Sequence, residues 1–163
     1  MGRNLNKKIL VLIRHGHRGK KDGSNTDNGL SKVGIEQATA LSKYFCSKYA
    51  KKSMIILSSP KRRCIETVEP LSKLNKAKIK IMDDLDEGGL LEEKISRFFQ
   101  WWRGQPDELT VICSHGDWIP TAVQIWTGAH IALSKGGCIE LSLNQDKMII
   151  EHVLQNADLN ALS

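Results

Sequence analysis

An α/β three-layer sandwich, with a mostly parallel central sheet flanked by helices and an antiparallel hairpin at its edge, is predicted by three observations on this 163-residue chain. Aliphatic runs stand at Ile9 to Ile13 and Met54 to Leu57, and further short strands read at Ile79 to Met82 and Leu109 to Cys113. Unbroken apolar runs of that length read as strands buried on both faces. Segments with helical spacing separate them, and strand–helix alternation implies parallel crossovers. Near the end, Cys138 to Leu143 and Met148 to Val153 alternate around Asn144-Gln145-Asp146, the pattern of a hairpin.

The first strand stops abruptly at Arg14-His15-Gly16. In open α/β sheets ligands bind beyond the carboxyl ends of the strands, so a guanidinium and an imidazole arrive where such folds do chemistry. Gly16 lets the backbone bend or approach a ligand closely. The polar stretch His17 to Gly29 reads as a loop, and its basic front, Arg18, Lys20 and Lys21, can attract an anion.

A first helix is expected to open with Ser31 as N-cap, presenting Leu30, Ile35, Ala38, Leu41 and Phe45 along one side. The second strand ends at Ser58-Ser59, and Pro60 suits the first turn of a second helix. Arg63 and Thr67 share a face of that helix. Lys61, Arg62 and Arg63 gather at its N-terminus, which the helix dipole disfavours unless an anion sits there. After the third strand come four carboxylates and two glycines, Asp83 to Gly89, then a helix from Leu90 to Trp102. The fourth strand ends in Ser114-His115-Gly116-Asp117, an echo of the first, and a helix follows from about Trp118 to Thr127. Gln155 to Ser163 reads as a frayed tail and residues 1–7 as loosely ordered. No linker or repeat divides the chain, so residues 1–163 form one domain.

Composition narrows the function. The net charge of +6 favours anionic partners. The basic residues are scattered and carry no nucleic-acid-binding motif, so no nucleic acid is expected. No apolar run is long enough to span a membrane, and the one following the basic start is too short for a signal peptide. Asn6 stands where myristoylation needs Ser or Thr. Cys46, Cys64, Cys113 and Cys138 lack metal-ligand spacing and suit a reduced, cytoplasmic chain, and no cofactor is expected.

Two histidines, two arginines and an acid around one crevice suit phosphoryl transfer. Guanidinium forks pair with phosphate oxygens, a neutral imidazole can attack phosphorus, and a carboxylic acid can protonate the departing oxygen. Several stretches together resemble the histidine phosphatase (phosphoglycerate mutase-like) superfamily. Leu12-Ile13-Arg14-His15-Gly16 is similar to its signature, and Leu30-Ser31-x-x-Gly34-x-x-Gln37-Ala38 to its first-helix pattern. Ser59-Pro60-x-x-Arg63-x-x-Glu66-Thr67 resembles its second-arginine motif, Leu85-x-Glu87 its acid loop, and Ser114-His115-Gly116 its second-histidine motif. The resemblance runs from about Lys8 to Thr127. It implies His15 as nucleophile forming a phosphohistidine, Arg14, Arg63 and His115 as the phosphate pocket, and Glu87 as general acid, with no metal. On sequence alone Asp84, Asp86 and Glu66 compete with Glu87.

Departures are visible. His17 stands where the family is often acidic. Arg18 matches the Arg-His-Gly-x-Arg of the acid phosphatase branch, but Lys20 replaces that branch's proline and Gly116 its aspartate, so the resemblance is to the broader branch. Asp117 is one residue out of register. The length leaves little room for a cap and is similar to that of the short phosphohistidine phosphatases. The expected activity is hydrolysis of a phosphomonoester or a phosphohistidine, with a phosphorylated small molecule or phosphoprotein as partner. The alternatives are a non-catalytic phosphate-binding or protein-interaction module and a mutase-like phosphotransferase.

Overall fold

A computed structural model describes residues 7–20 and 27–162. Lys21 and residues 1–6, on which expectations were placed, lie outside them. Six strands form one sheet in the order β3-β2-β4-β1-β5-β6. They are β1 (Lys8–Arg14), β2 (Ile55–Ser58), β3 (Ile79–Ile81), β4 (Leu109–Ser114), β5 (Cys138–Asn144) and β6 (Lys147–Leu154). β1, β2, β3 and β4 run parallel, whereas β5 pairs antiparallel with β1 and with β6. The hairpin occupies the edge, as its alternating pattern predicts. The sheet and its flanking helices form the α/β sandwich.

Successive strand residues face opposite sides of a sheet, so the aliphatic runs feed two cores. Val11, Ile13, Ile56 and Val111 pack with α1 (Lys32–Lys48) and α2 (Arg62–Asn75). Leu10, Leu12, Leu57 and Ile112 pack with α3 (Leu91–Arg103) and α4 (Trp118–Thr127). All six residues of β4 are buried. That double burial is why these strands lack polar alternation.

Local chemistry sets the element ends. Ser31 caps α1, its side chain accepting from Gly34 N at 3.1 Å. Ile35 is 57% exposed rather than part of the buried stripe, which Ala38, Leu41 and Phe45 supply. Pro60 precedes the α2 N-cap, Lys61, instead of occupying the first turn, and Pro70 lies inside the helix. Instead of fraying, Asn156–Ala161 form a short helix, α5, with a Gln155–Asp158 capping box and a buried Leu159.

The parallel register positions the site. Arg14 pairs with Ser114, and Ser58 with Cys113, so three strands end at one level. His15, Ser59 and His115 each follow one of those ends on the same rim.

Candidate active site

His15 is 6% exposed, and its Nδ1 lies 2.8 Å from the Gly16 carbonyl. Only an N–H donates to a carbonyl, so the proton sits on Nδ1 and the lone pair on Nε2. Burial drives the His15 pKa down to about 4, and the charges of Arg63, His115 and Arg14 add to this against the opposing Gly16 hydrogen bond. The imidazole is therefore neutral at neutral pH, as a nucleophile requires. Gly16 serves this orientation: its N–H donates to Thr67 Oγ1 at 2.9 Å, and that hydroxyl donates to the Arg63 carbonyl at 2.7 Å. Both backbone groups of Gly16, expected from sequence to approach a ligand, are thus hydrogen-bonded within the protein.

Arg63 is 2% exposed. Its Nε donates to His15 Nε2 at 3.3 Å, and Nη2 reaches Glu87 and lies 3.3 Å from His115 Nδ1. The neighbouring Arg62 turns outward and pairs with Glu66. Arg14 lies against Gly116, where a Cβ would stand 2.8 Å from the guanidinium carbon, so only glycine admits this approach. Arg14 Nη1 donates to the Leu133 carbonyl at 2.6 Å. Among the described residues, Arg14 Nε and Arg63 Nη1 are buried without a partner. Orphaned buried donors are costly, and here two of them belong to cations beside one imidazole.

His115 is 1% exposed, and its ring centroid lies 5.4 Å from that of His15. Its Nε2 meets Ser59 Oγ at 2.8 Å and Asp86 Oδ1 at 3.4 Å, while Cys64 Sγ is 3.6 Å away. Its Nδ1 faces Arg63 and Glu87 Oε2, the latter at 3.5 Å.

The structure separates the four competing carboxylates. Asp84 pairs with Arg97, and Glu66 accepts from Leu30 N at 2.6 Å besides pairing with Arg62. Asp86 lies behind His115. Glu87 alone of the four contacts both Arg63 and the Nδ1 side of His115. Partial burial would raise its pKa, but the Arg63 hydrogen bond and the charges of His115, Arg63 and Lys61 hold it below the usual carboxylate range. Its loop turns through left-handed Gly88 and Gly89, φ 69° and 67°, a conformation glycine adopts freely. Lys94 Nζ binds the carbonyls of Asp86, Glu87 and Gly88, and Asp117 Oδ2 accepts from Gly88 N at 2.8 Å.

Arg14, His15, Arg63, Glu87 and Asp117 open into a cleft of about 420 Å³ that Arg18 and Lys135 also line, with His115 buried beneath His15 and Arg63 rather than on its wall. A cleft of about 480 Å³ between α1 and α5 contains none of them. Ser59 and Asp86 as partners of His115, Lys94 as loop clamp and Lys135 at the cleft were not assigned from sequence. Ser59 stands in the second-arginine motif, but nothing local marks Lys94 or Lys135. Among the described residues no cluster of three His, Cys, Asp or Glu side chains could hold a metal ion, and no helix is long and apolar enough to cross a membrane.

The family model described as Histidine phosphatase superfamily (branch 1) matches residues 10–108, which is more than half of the chain. The chain belongs to the histidine phosphatase superfamily. Within this superfamily, the protein histidine phosphatase SixA, solved with tungstate, superposes with a TM-score of 0.81 at 14% identity, covering 93% of this chain and 99% of that one. Phosphoserine phosphatase from Entamoeba histolytica superposes at 0.73 and 17% identity, covering 93% and 99%. Mycobacterial glucosyl-3-phosphoglycerate phosphatase, solved with VO3, also gives 0.73, at 16% identity, covering 91% and 99%. At such identities these likenesses concern the fold. Comparison with curated proteins gives no match.

Proposed function

We propose that this protein is a phosphatase that hydrolyses a phosphomonoester or a phosphohistidine through a covalent phosphohistidine on His15. The observation that carries this reading is a buried, neutral imidazole whose Nε2 lone pair faces Arg63, with unpartnered Arg14 and Arg63 donors beside it. A phosphoryl dianion satisfies those donors through charge-assisted hydrogen bonds and displaces the long Arg63–His15 contact.

The phosphoryl group then docks on Arg14, Arg63 and His115, in line with His15 Nε2. The N–P bond forms as the P–O bond to the leaving group breaks, and fixed cations stabilise the charge on the equatorial oxygens. Glu87 protonates the leaving oxygen. Its pairing with Arg63 keeps it ionised, so it acquires the proton when the substrate engages Arg63 and brings negative charge beside the carboxyl. Water next attacks phosphorus with Glu87 as base, and breaking of the N–P bond restores neutral His15. The open cleft admits that water, which favours hydrolysis over a mutase reaction. Four unpaired thiols support a reducing, cytoplasmic setting.

Rapid quench with a 32P-labelled aryl phosphate tests the reading. Acid-labile, base-stable label should appear on His15 before steady state, and His15→Ala should lose both label and turnover. Turnover equal to wild type in His15→Ala would sink the proposal.

A further inference from the structure

Glu87 must be held in place at the moment its own side-chain contact is given up. Without substrate its carboxylate pairs with Arg63. A phosphoryl group that takes Arg63 competes for that guanidinium, and the carboxyl then depends on its backbone for position. Apolar packing does little to fix that backbone. Leu85 is fully buried and its carbonyl accepts from Ser114 Oγ at 2.7 Å, but residues 87–90 are exposed, and Leu90, 68% exposed, gives no anchor. Gly88 and Gly89 have positive φ, and a Cβ on Gly88 would meet nothing within 4 Å.

Lys94 provides the missing anchor. Side chains on a helix lean toward its N-terminus, so Lys94, one turn into α3, reaches back over the loop that precedes it. Its Nζ donates to three successive carbonyls, Asp86 at 3.2 Å, Glu87 at 3.4 Å and Gly88 at 3.0 Å, the full set of donors an ammonium has. Among the described residues Lys94 makes no ion pair, although Glu92 and Glu93 stand beside it in sequence. Two other groups tie this backbone. Asp86 Oδ1 accepts from Glu87 N at 2.9 Å, but Asp86 belongs to the loop and moves with it. Asp117 Oδ2 accepts from Gly88 N, a single bond beyond Glu87. Among the described residues only Lys94 binds the backbone at Glu87 and on both sides of it. The three carbonyls belong to exposed or half-buried residues, so water replaces the ammonium at little cost in stability.

We infer that Lys94 is a positioning residue for proton transfer: by fixing the backbone at Glu87, it keeps the carboxyl over the cleft while substrate occupies Arg63. The inference rests on the phosphatase reading, in which Glu87 protonates the leaving oxygen.

The test compares phenyl phosphate, whose leaving oxygen needs a proton, with 2,4-dinitrophenyl phosphate, whose phenolate departs without one. General acid catalysis is worth roughly a hundredfold to ten-thousandfold, so misplacing the acid in Lys94→Met should lower the phenyl-to-dinitrophenyl ratio of kcat/KM by about tenfold or more. Each ratio compares two esters on one protein, so a general loss of activity cancels. Glu87→Gln should lower the ratio at least as far. Adding Lys94→Met to Glu87→Gln should lower it no further, because the lysine acts through the acid. Hydrogen exchange of the Glu87 and Gly88 amides should accelerate in Lys94→Met, a readout that needs no turnover. If wild type turns over neither ester, the phosphatase reading fails, and the exchange still reads whether Lys94 holds the loop. An unchanged ester ratio in Lys94→Met, a second full loss in the double variant, or unchanged exchange overturns the inference.

Discussion

The burial that keeps the His15 imidazole neutral also makes it a liability in acid, which the Gly16 hydrogen bond only partly offsets. A histidine with a folded pKa near 4 and an unfolded value near 6.5 imposes no penalty above pH 6.5, where both states are neutral. As the pH falls, the unfolded chain takes the proton first. Stability is lost between about pH 6.5 and pH 4, and the loss levels off once the folded imidazole also titrates. Each pKa unit is worth about 1.4 kcal/mol, so the loss is on the order of 3 kcal/mol. Urea denaturation should show His15→Gln gaining on wild type as the pH drops from 7 to 4.5. Parallel pH profiles for the two proteins would contradict the burial argument. At this scale the sequence is only partly legible. Arg14, His15, Arg63 and His115 stand out because the chain delivers them to strand ends or a helix start. Glu87 does not stand apart from Asp84, Asp86 and Glu66, because partners distant in sequence sort them. Arg97 takes Asp84, while Arg62 and Leu30 take Glu66. Lys135 and Lys94 become site residues only when the loops close.

Elements were legible where one periodicity ran uninterrupted. The strands and helices of the parallel half follow their aliphatic and amphipathic patterns closely, because burial against a complete neighbour leaves few alternatives. Short and terminal pieces were not. Asn156–Ala161 has too few apolar residues to reveal periodicity, and tertiary contact decides it: Leu159 is 1% exposed and joins Phe45, Leu41 and Cys138 in the core under α1. Pro60 misleads because Ser59, whose hydroxyl meets His115, holds the chain extended before α2 begins. If α5 is docked by its single buried leucine, Leu159→Ala should cost about 2 kcal/mol, the lower end for a buried leucine because the site is peripheral and can collapse. Chemical denaturation should show a shifted midpoint with an unchanged slope and turnover that survives at low temperature. A loss below about 0.5 kcal/mol, within the usual range of surface substitutions, would mean the helix is not held this way.

Across the whole molecule, the sheet divides its tasks. The parallel half ends in the cleft. The antiparallel half carries a buried acid, Glu140, which is 2% exposed and opposite Val11 in the β1–β5 register. Lys48, the last residue of α1, forms an ion pair with Glu140, and Tyr49 donates to it at 3.1 Å. This cluster fixes the C-terminal end of α1 to the sheet, while the opposite end of α1 supports the His15 loop through Ser31 and Gln37. Burial alone would lower the Lys48 pKa, but the hydrogen bonds to Glu140 and Tyr44 and the charge of Glu140 raise it. The raised value means the pairing is fully present below pH 10.5 and is lost as the pH climbs through the folded value. Removing one partner of a buried pair leaves the other charge uncompensated, typically at 3–5 kcal/mol; the 30% exposure of Lys48 reduces this to roughly 2 kcal/mol for Lys48→Met. The deficit in urea denaturation should stay constant from pH 6 to pH 9, with kcat/KM on an aryl phosphate changed less than about twofold, since distant sites act nearly additively. A fall in kcat/KM matching the stability loss would show that the two ends of α1 are coupled and that the sheet does not keep the tasks apart.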